Sequence, residues 1–147
     1  METIIKEMEE KLNSLCTATS SDFSAFAQVN EHNYEIHWKY VYGNQNKRYK
    51  QMIGKPGKGL SGSVVRFGRN IIIDQNTPDV AVRRLEYPIM LAENLQSAIA
   101  VPVRSYNQIL GILLIGSRSP REYSEEQIAF VSRKAEEISP LFLKAIP

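Results

Sequence analysis

Cysteine is almost absent from this chain of 147 residues: Cys16 stands alone, so no internal disulfide can form. With only two histidines, His32 and His37, it cannot complete a zinc site either. No apolar run approaches the roughly 20 residues that a spanning helix needs. The opening Met1-Glu2-Thr3-Ile4-Ile5-Lys6-Glu7 lacks the basic and apolar regions of a signal peptide. These absences point to a soluble, cytoplasmic protein with no membrane partner. Catalytic signatures are missing as well. There is no His-Glu-x-x-His pair and no Gly-x-Ser-x-Gly elbow. A Walker-type phosphate loop fails because Gly59 is followed by Leu60 and Ser61, not by Lys and Ser/Thr. The expectation is a protein that is not an enzyme and carries no metal and no cofactor.

What is present suits a folded domain. Hydrophobic residues make up 43% and charged residues 23%, enough for a core and close to the globular average, so residues 1–147 read as one domain. Charge is uneven. Residues 1–38 carry −5, residues 39–84 carry +8 and residues 85–147 carry −1. The basic middle suits an anion or an acidic surface, or is simply a solvated face. No aromatic stacking pattern accompanies it, so nucleic acid is not expected.

Periodicity sets the elements. Ile4, Ile5, Met8, Leu12 and Leu15 fall at helical spacing, which predicts a helix over 2–18. Residues 23–30 and 34–42 read as strands, and in the second Ile36, Trp38 and Tyr40 share one face. A shorter strand is expected at 47–53, then a loop from Gly54 to Gly59, a short helix closed by Gly68, and a buried strand Ile71-Ile72-Ile73. Residues 80–93 carry an ambiguous helix. Gln96–Ser105 and Ile109–Ser117 make an apolar hairpin around Tyr106-Asn107-Gln108. Ser124-Glu125-Glu126-Gln127 is a capping box opening a helix with Ile128, Val131, Ala135, Ile138 and Phe142 on one face, which Pro140 should kink or interrupt. The order predicts an α/β architecture, an α+β sandwich: a central antiparallel sheet, terminal helices on one face, ligand-binding loops and short helices on the other.

Three stretches invite a site. Gly57-Lys58-Gly59-Leu60-Ser61-Gly62-Ser63 runs from a glycine-rich loop into a helix start, where unpaired N–H groups and the positive dipole end can hold an anion; equally, the glycines make a tight turn. Tyr87-Pro88-Ile89 has proline at a first helical position and offers a second such start, or a plain junction. Trp38, the only tryptophan, is core or a ligand contact whose indole N–H needs a partner. His32 and His37 read as surface residues, and Cys16 as a small apolar helix residue.

Together with these stretches, Gly59-Leu60-Ser61-Gly62 followed by Val64-Val65, Ile71-Ile72-Ile73-Asp74, Ser97 to Val103, Ile109-Leu110-Gly111-Ile112-Leu113 and Tyr123-Ser124-Glu125-Glu126-Gln127 resemble the GAF domain family, over about residues 20–145. Within it the likeness is greatest to single-domain nitrate receptors that work with an NreB-like sensor histidine kinase in a two-component system. That resemblance implies nitrate or nitrite as ligand, held by Trp38, Leu60, Ser61, Tyr87, Pro88 and Ile89, with a homodimer or kinase contact through the terminal helices. Other branches match less well. Methionine-sulfoxide reductases of the family need several cysteines, bilin binders need a mid-domain cysteine, and the Asn-Lys-x-x-x-Phe-Asp-Glu motif of cyclic-nucleotide binders is missing. The alternative is a GAF sensor for another small ligand or cofactor, or a small redox enzyme of the family.

Overall fold

The computed structural model describes residues 2–145, with side chains from residue 3 to residue 141. Helix α1 spans Glu2–Thr19, strands β1 and β2 span Phe23–Val29 and Ile36–Tyr42, and a two-residue strand β3 follows at Ile53–Gly54. Helix α2 (Gly59–Phe67) leads to β4 (Ile71–Ile73), then to the short helices α3 (Val80–Arg84) and α4 (Pro88–Ala92). The chain closes with β5 (Ser97–Ser105), β6 (Gln108–Ser117) and helix α5 (Glu125–Ala145). The strands form one antiparallel sheet in the order β3-β2-β1-β6-β5-β4.

Both faces of the sheet are covered, and each has its own core. On one side Met8, Leu12 and Leu15 of α1 and Val131, Ala135 and Ile138 of α5 bury against Phe26, Ile99, Val101, Leu113 and Ile115. On the other, Leu60 and Val64 of α2 and Ile89 and Met90 of α4 pack on Ala25, Ala27, Ala98, Ala100, Ile112 and Leu114. The predicted sandwich is therefore the architecture found. Its helix ends follow local chemistry. Ser124 N–H donates to Gln127 Oε1 (3.0 Å) and Gln127 N–H to Ser124 Oγ (3.1 Å), the reciprocal bonds of the capping box. α2 ends at Gly68, whose N–H donates to Val64 O (2.8 Å).

Several expectations need correcting. Ile5 is 41% exposed and lies off the α1 stripe. Alternation puts Tyr40 beside Trp38, but the β1–β2 register pairs Phe26 with Tyr40 and Ala27 with Trp38, leaving Lys39 as an extra residue. That bulge sends Tyr40 to the opposite face, where its ring lies 6.4 Å from Phe26. The strand over 47–53 is mostly a 3-10 turn, Arg48–Gln51, started by Asn46 Oδ1 accepting from Arg48 N–H (2.9 Å); only Ile53–Gly54 pairs with β2. The helix over 80–93 is two helices, because Pro88 holds Tyr87 extended (φ −121°, ψ 90°) and breaks the helical path. The hairpin turn is Tyr106-Asn107, with Gln108 already in β6. Pro140 lies inside α5 without ending it. The side chain of Phe142 lies outside those described. Among the described residues no helix is long and apolar enough to cross a membrane.

Candidate functional site

The face under the short helices is where the starts of α2 and α4 converge. Gly57 N–H donates to Gly62 O (2.7 Å) and Lys58 N–H to Lys55 O (3.1 Å), folding the loop back along α2. Gly62 permits this approach, since a Cβ there would stand 2.1 Å from Lys55 O. Gly59 enters the helix at φ 69°, a left-handed value that glycine adopts at little cost. A Cβ on Gly59 would lie 3.5 Å from Glu86 O and 4.0 Å from Pro88 Cδ, so the first residues of α2 and α4 are neighbours.

Between them opens a cavity of about 430 Å³. Trp38, Leu60, Ser61, Tyr87, Pro88 and Ile89 all line it, so residues spread over fifty positions of sequence share one wall system. The N–H groups of Leu60, Ser61 and Ile89 precede the first acceptors of their helices, and among the described residues nothing accepts from them. Met90 and Leu91 N–H, by contrast, already donate to Tyr87 O (3.0 and 3.2 Å). Trp38 comes from β2 and is 8% exposed. Among the described residues Glu93 Oε2 is the only fully enclosed side-chain polar atom without a partner. Among the described residues the Trp38 indole N–H and the Tyr87 hydroxyl have no partner either, and neither is fully enclosed. Ser61 Oγ lies 3.1 Å from where a Cβ on Gly54 would stand, at the junction of α2 and β3.

The walls are mostly apolar, and Lys55 and Lys58 stand exposed at the mouth with Glu86 opposite in charge. Such a site offers neutral, fixed donors in a low-dielectric setting, with cations near but in solvent. Sequence reasoning misses Met52, Ile53, Gly54 and Glu86 as wall residues. The Ile53-Gly54 pairing with β2 leaves no periodic trace in two residues, and Glu86 is signalled only by its place before Tyr87-Pro88. A larger depression, about 650 Å³, lies beside the β5–β6 turn near His32 and Tyr34, and no helix start faces it. His32 is exposed, and His37 is half-exposed with Nε2 3.3 Å from Glu35 Oε1, which makes both surface residues. Cys16 is buried in α1, across the sheet from the cavity; burial pushes its thiol up from the ordinary 9.0 against the opposing hydrogen bond from Ser24.

Comparison with known proteins follows the same lines. A family model described as a GAF domain matches residues 2–141. The chain is 27% identical over 129 residues to the HTH-type transcriptional activator RamA of Corynebacterium glutamicum, covering 86% of this chain and 46% of that protein; the chain thus spans about half the length of that relative. NreA of Staphylococcus aureus, its structure determined with the nitrate-binding site mutated, is 33% identical and superposes with a TM-score of 0.71 over 82% of this chain and 89% of that one. The type II free methionine-R-sulfoxide reductase of Thermoplasma acidophilum superposes with a TM-score of 0.76 over 97% and 94% of the two chains at 21% identity, a likeness of fold alone.

Proposed function

Because this chain belongs to the GAF domain family, we propose that it is a receptor for nitrate or nitrite that regulates a partner sensor histidine kinase controlling nitrate respiration genes. One observation carries the reading: the unpaired N–H groups of Leu60, Ser61 and Ile89 and the indole N–H of Trp38 belong to one cavity. Nitrate is flat, monovalent and weakly hydrated. It calls for several fixed donors and little cationic charge. Backbone N–H groups supply that without the desolvation cost of a buried lysine, and apolar walls strengthen each bond. Sulfate and phosphate carry more charge and lose more on leaving water. The 33% identity to a protein with a nitrate-binding site supports the ligand. Binding would order the loop 54–58 and the segment 75–87 and change the surface shown to a partner.

The reductase fold-mates suggest the rival, an enzyme. The position of Cys16 speaks against a cysteine-based redox site, since it is buried in α1 and the cavity has no thiol. The RamA likeness favours a second output, control of a transcription factor in place of a kinase.

Calorimetric titration with nitrate, nitrite, chloride and sulfate tests the ligand, and Trp38 emission should change with the same saturation curve. Absence of heat with nitrate and nitrite defeats the reading. Kinase phosphorylation in a reconstituted mixture, with and without this protein and nitrate, tests the output.

A further inference from the structure

Helix α4 is five residues long and cannot hold itself in place. It nevertheless supplies Pro88 and Ile89, with the N-cap Tyr87, to the cavity wall. What fixes it lies at its other end, outside the cavity. Glu93 caps the helix, its N–H donating to Ile89 O (3.1 Å). Its carboxylate is fully buried: Oε1 accepts from Gln45 N–H (2.7 Å) and from Arg118 (2.9 Å). Arg118 Nε donates to Glu93 O (2.9 Å), another Arg118 nitrogen to Gly43 O (2.9 Å), and Arg118 N–H to Asp22 Oδ2 (2.6 Å). Asn46 Nδ2 donates to Ala92 O (2.7 Å). The C-terminal end of α4 is thus tied through Asn46 to the turn after β2 and through Arg118 to the exit of β6, where Asp22, just ahead of β1, accepts from the Arg118 backbone.

The choice of groups is costly. A buried carboxylate at a helix C-terminus opposes the helix dipole, and Oε2 has no partner among the described residues. A buried ion pair is weak evidence for stability, and apolar residues of similar volume often serve as well. What the pair does supply is direction: a guanidinium fork fixes angle as well as distance. We propose that Glu93 and Arg118 are positioning residues that hold the α4 wall and so set anion selectivity from outside the cavity; the inference rests on the receptor reading above.

The test compares the full chain with Glu93→Gln and Arg118→Lys, neither of which lines the cavity. Nitrate affinity should fall about tenfold in each, the scale of one charge-assisted hydrogen bond, and preference for flat nitrate over spherical chloride should fall with it. A structural role alone lowers the melting temperature and leaves that preference intact, so wild-type selectivity in both variants overturns the proposal. Should Glu93→Gln fail to fold, Asp22→Asn, which loosens Arg118 only through its backbone bond, carries the same comparison. A second readout needs no ligand. Hydrogen exchange of the Met90, Leu91 and Glu93 amides should quicken in the variants while that of β6 amides does not. If the wild type binds no nitrate, the receptor reading fails and this exchange decides the positioning claim alone; unchanged exchange overturns it.

Discussion

The two faces of the sheet are covered by helices of different length. One carries Phe26, Ile99, Val101, Leu113 and Ile115 under helices of 18 and 21 residues. The other carries Ala25, Ala27, Ala98 and Ala100 among the larger Phe23, Ile36, Ile112 and Leu114, under helices of nine and five residues. Large side chains under long helices fill space and leave few polar groups unmet. Arg121 even closes the end of α1, donating to Thr19 O (3.1 Å) and Ser20 O (2.9 Å). Short helices over the alanines let helix starts approach and leave room between them. Each side thus has a core, and the cavity opens on the side of the short helices.

The largest test of that contrast is Phe26→Ala. Phe26 is fully buried on the helix side, and its loss should cost about 3–5 kcal/mol in chemical denaturation, with nitrate affinity of the folded protein unchanged. Loss of affinity in step with stability would break the contrast. Ala27→Leu is the counterpart on the cavity side, beside Trp38 in the register. Overpacking there should cost about 1–3 kcal/mol yet abolish the calorimetric signal. A third substitution isolates one donor. Leu60→Pro is confounded, since Leu60 is 2% exposed and part of the core. Ser61→Pro removes an N–H in the first turn of α2, where proline is tolerated best, and should weaken nitrate at least about tenfold with little change in unfolding.

Alkaline pH probes the helix side. Burial raises Cys16 from 9.0 and Tyr40 from 10.0; Tyr40 packs against that core, and Cys16 is a buried residue of α1. Their folded values lie above the unfolded ones, so the neutral forms are favoured by folding. That stability is whole below about pH 9 and is lost as pH rises through the folded values. Denaturation midpoints should fall above pH 9 and fall less in Cys16→Ala. The smallest effect is expected at the cavity mouth. Lys55→Ala and Lys58→Ala should each weaken nitrate by under about 1 kcal/mol, and less as salt rises. A loss as large as that of Ser61→Pro would mean that a side-chain cation holds the anion.

Much of this was legible in the chain. Helical spacing in α1 and α5, the capping box at Ser124, the glycine that ends α2 and the proline that starts α4 are local signals, each settled within a few residues. The site was legible in pieces, because a glycine-led helix start and a Tyr-Pro-Ile start announce unpaired N–H groups wherever they lie. Less legible were the flip of Tyr40 and the walls at Met52, Ile53 and Glu86. A one-residue bulge leaves no mark in a pattern of period two.

Sequence by itself determined the terminal helices, the main strands, the capping box at Ser124 and the helix starts at Gly59 and Pro88, since those follow from steric and hydrogen-bonding rules acting over four or five neighbours. Tertiary structure decided that the start of α2, the start of α4 and Trp38 meet at one cavity, and that a buried Glu93–Arg118 pair outside it holds α4 in place. Such contacts join residues many positions apart, as Gln45 and Glu93 are joined. They depend on how the sheet's register and the two cores close together, which no local rule contains.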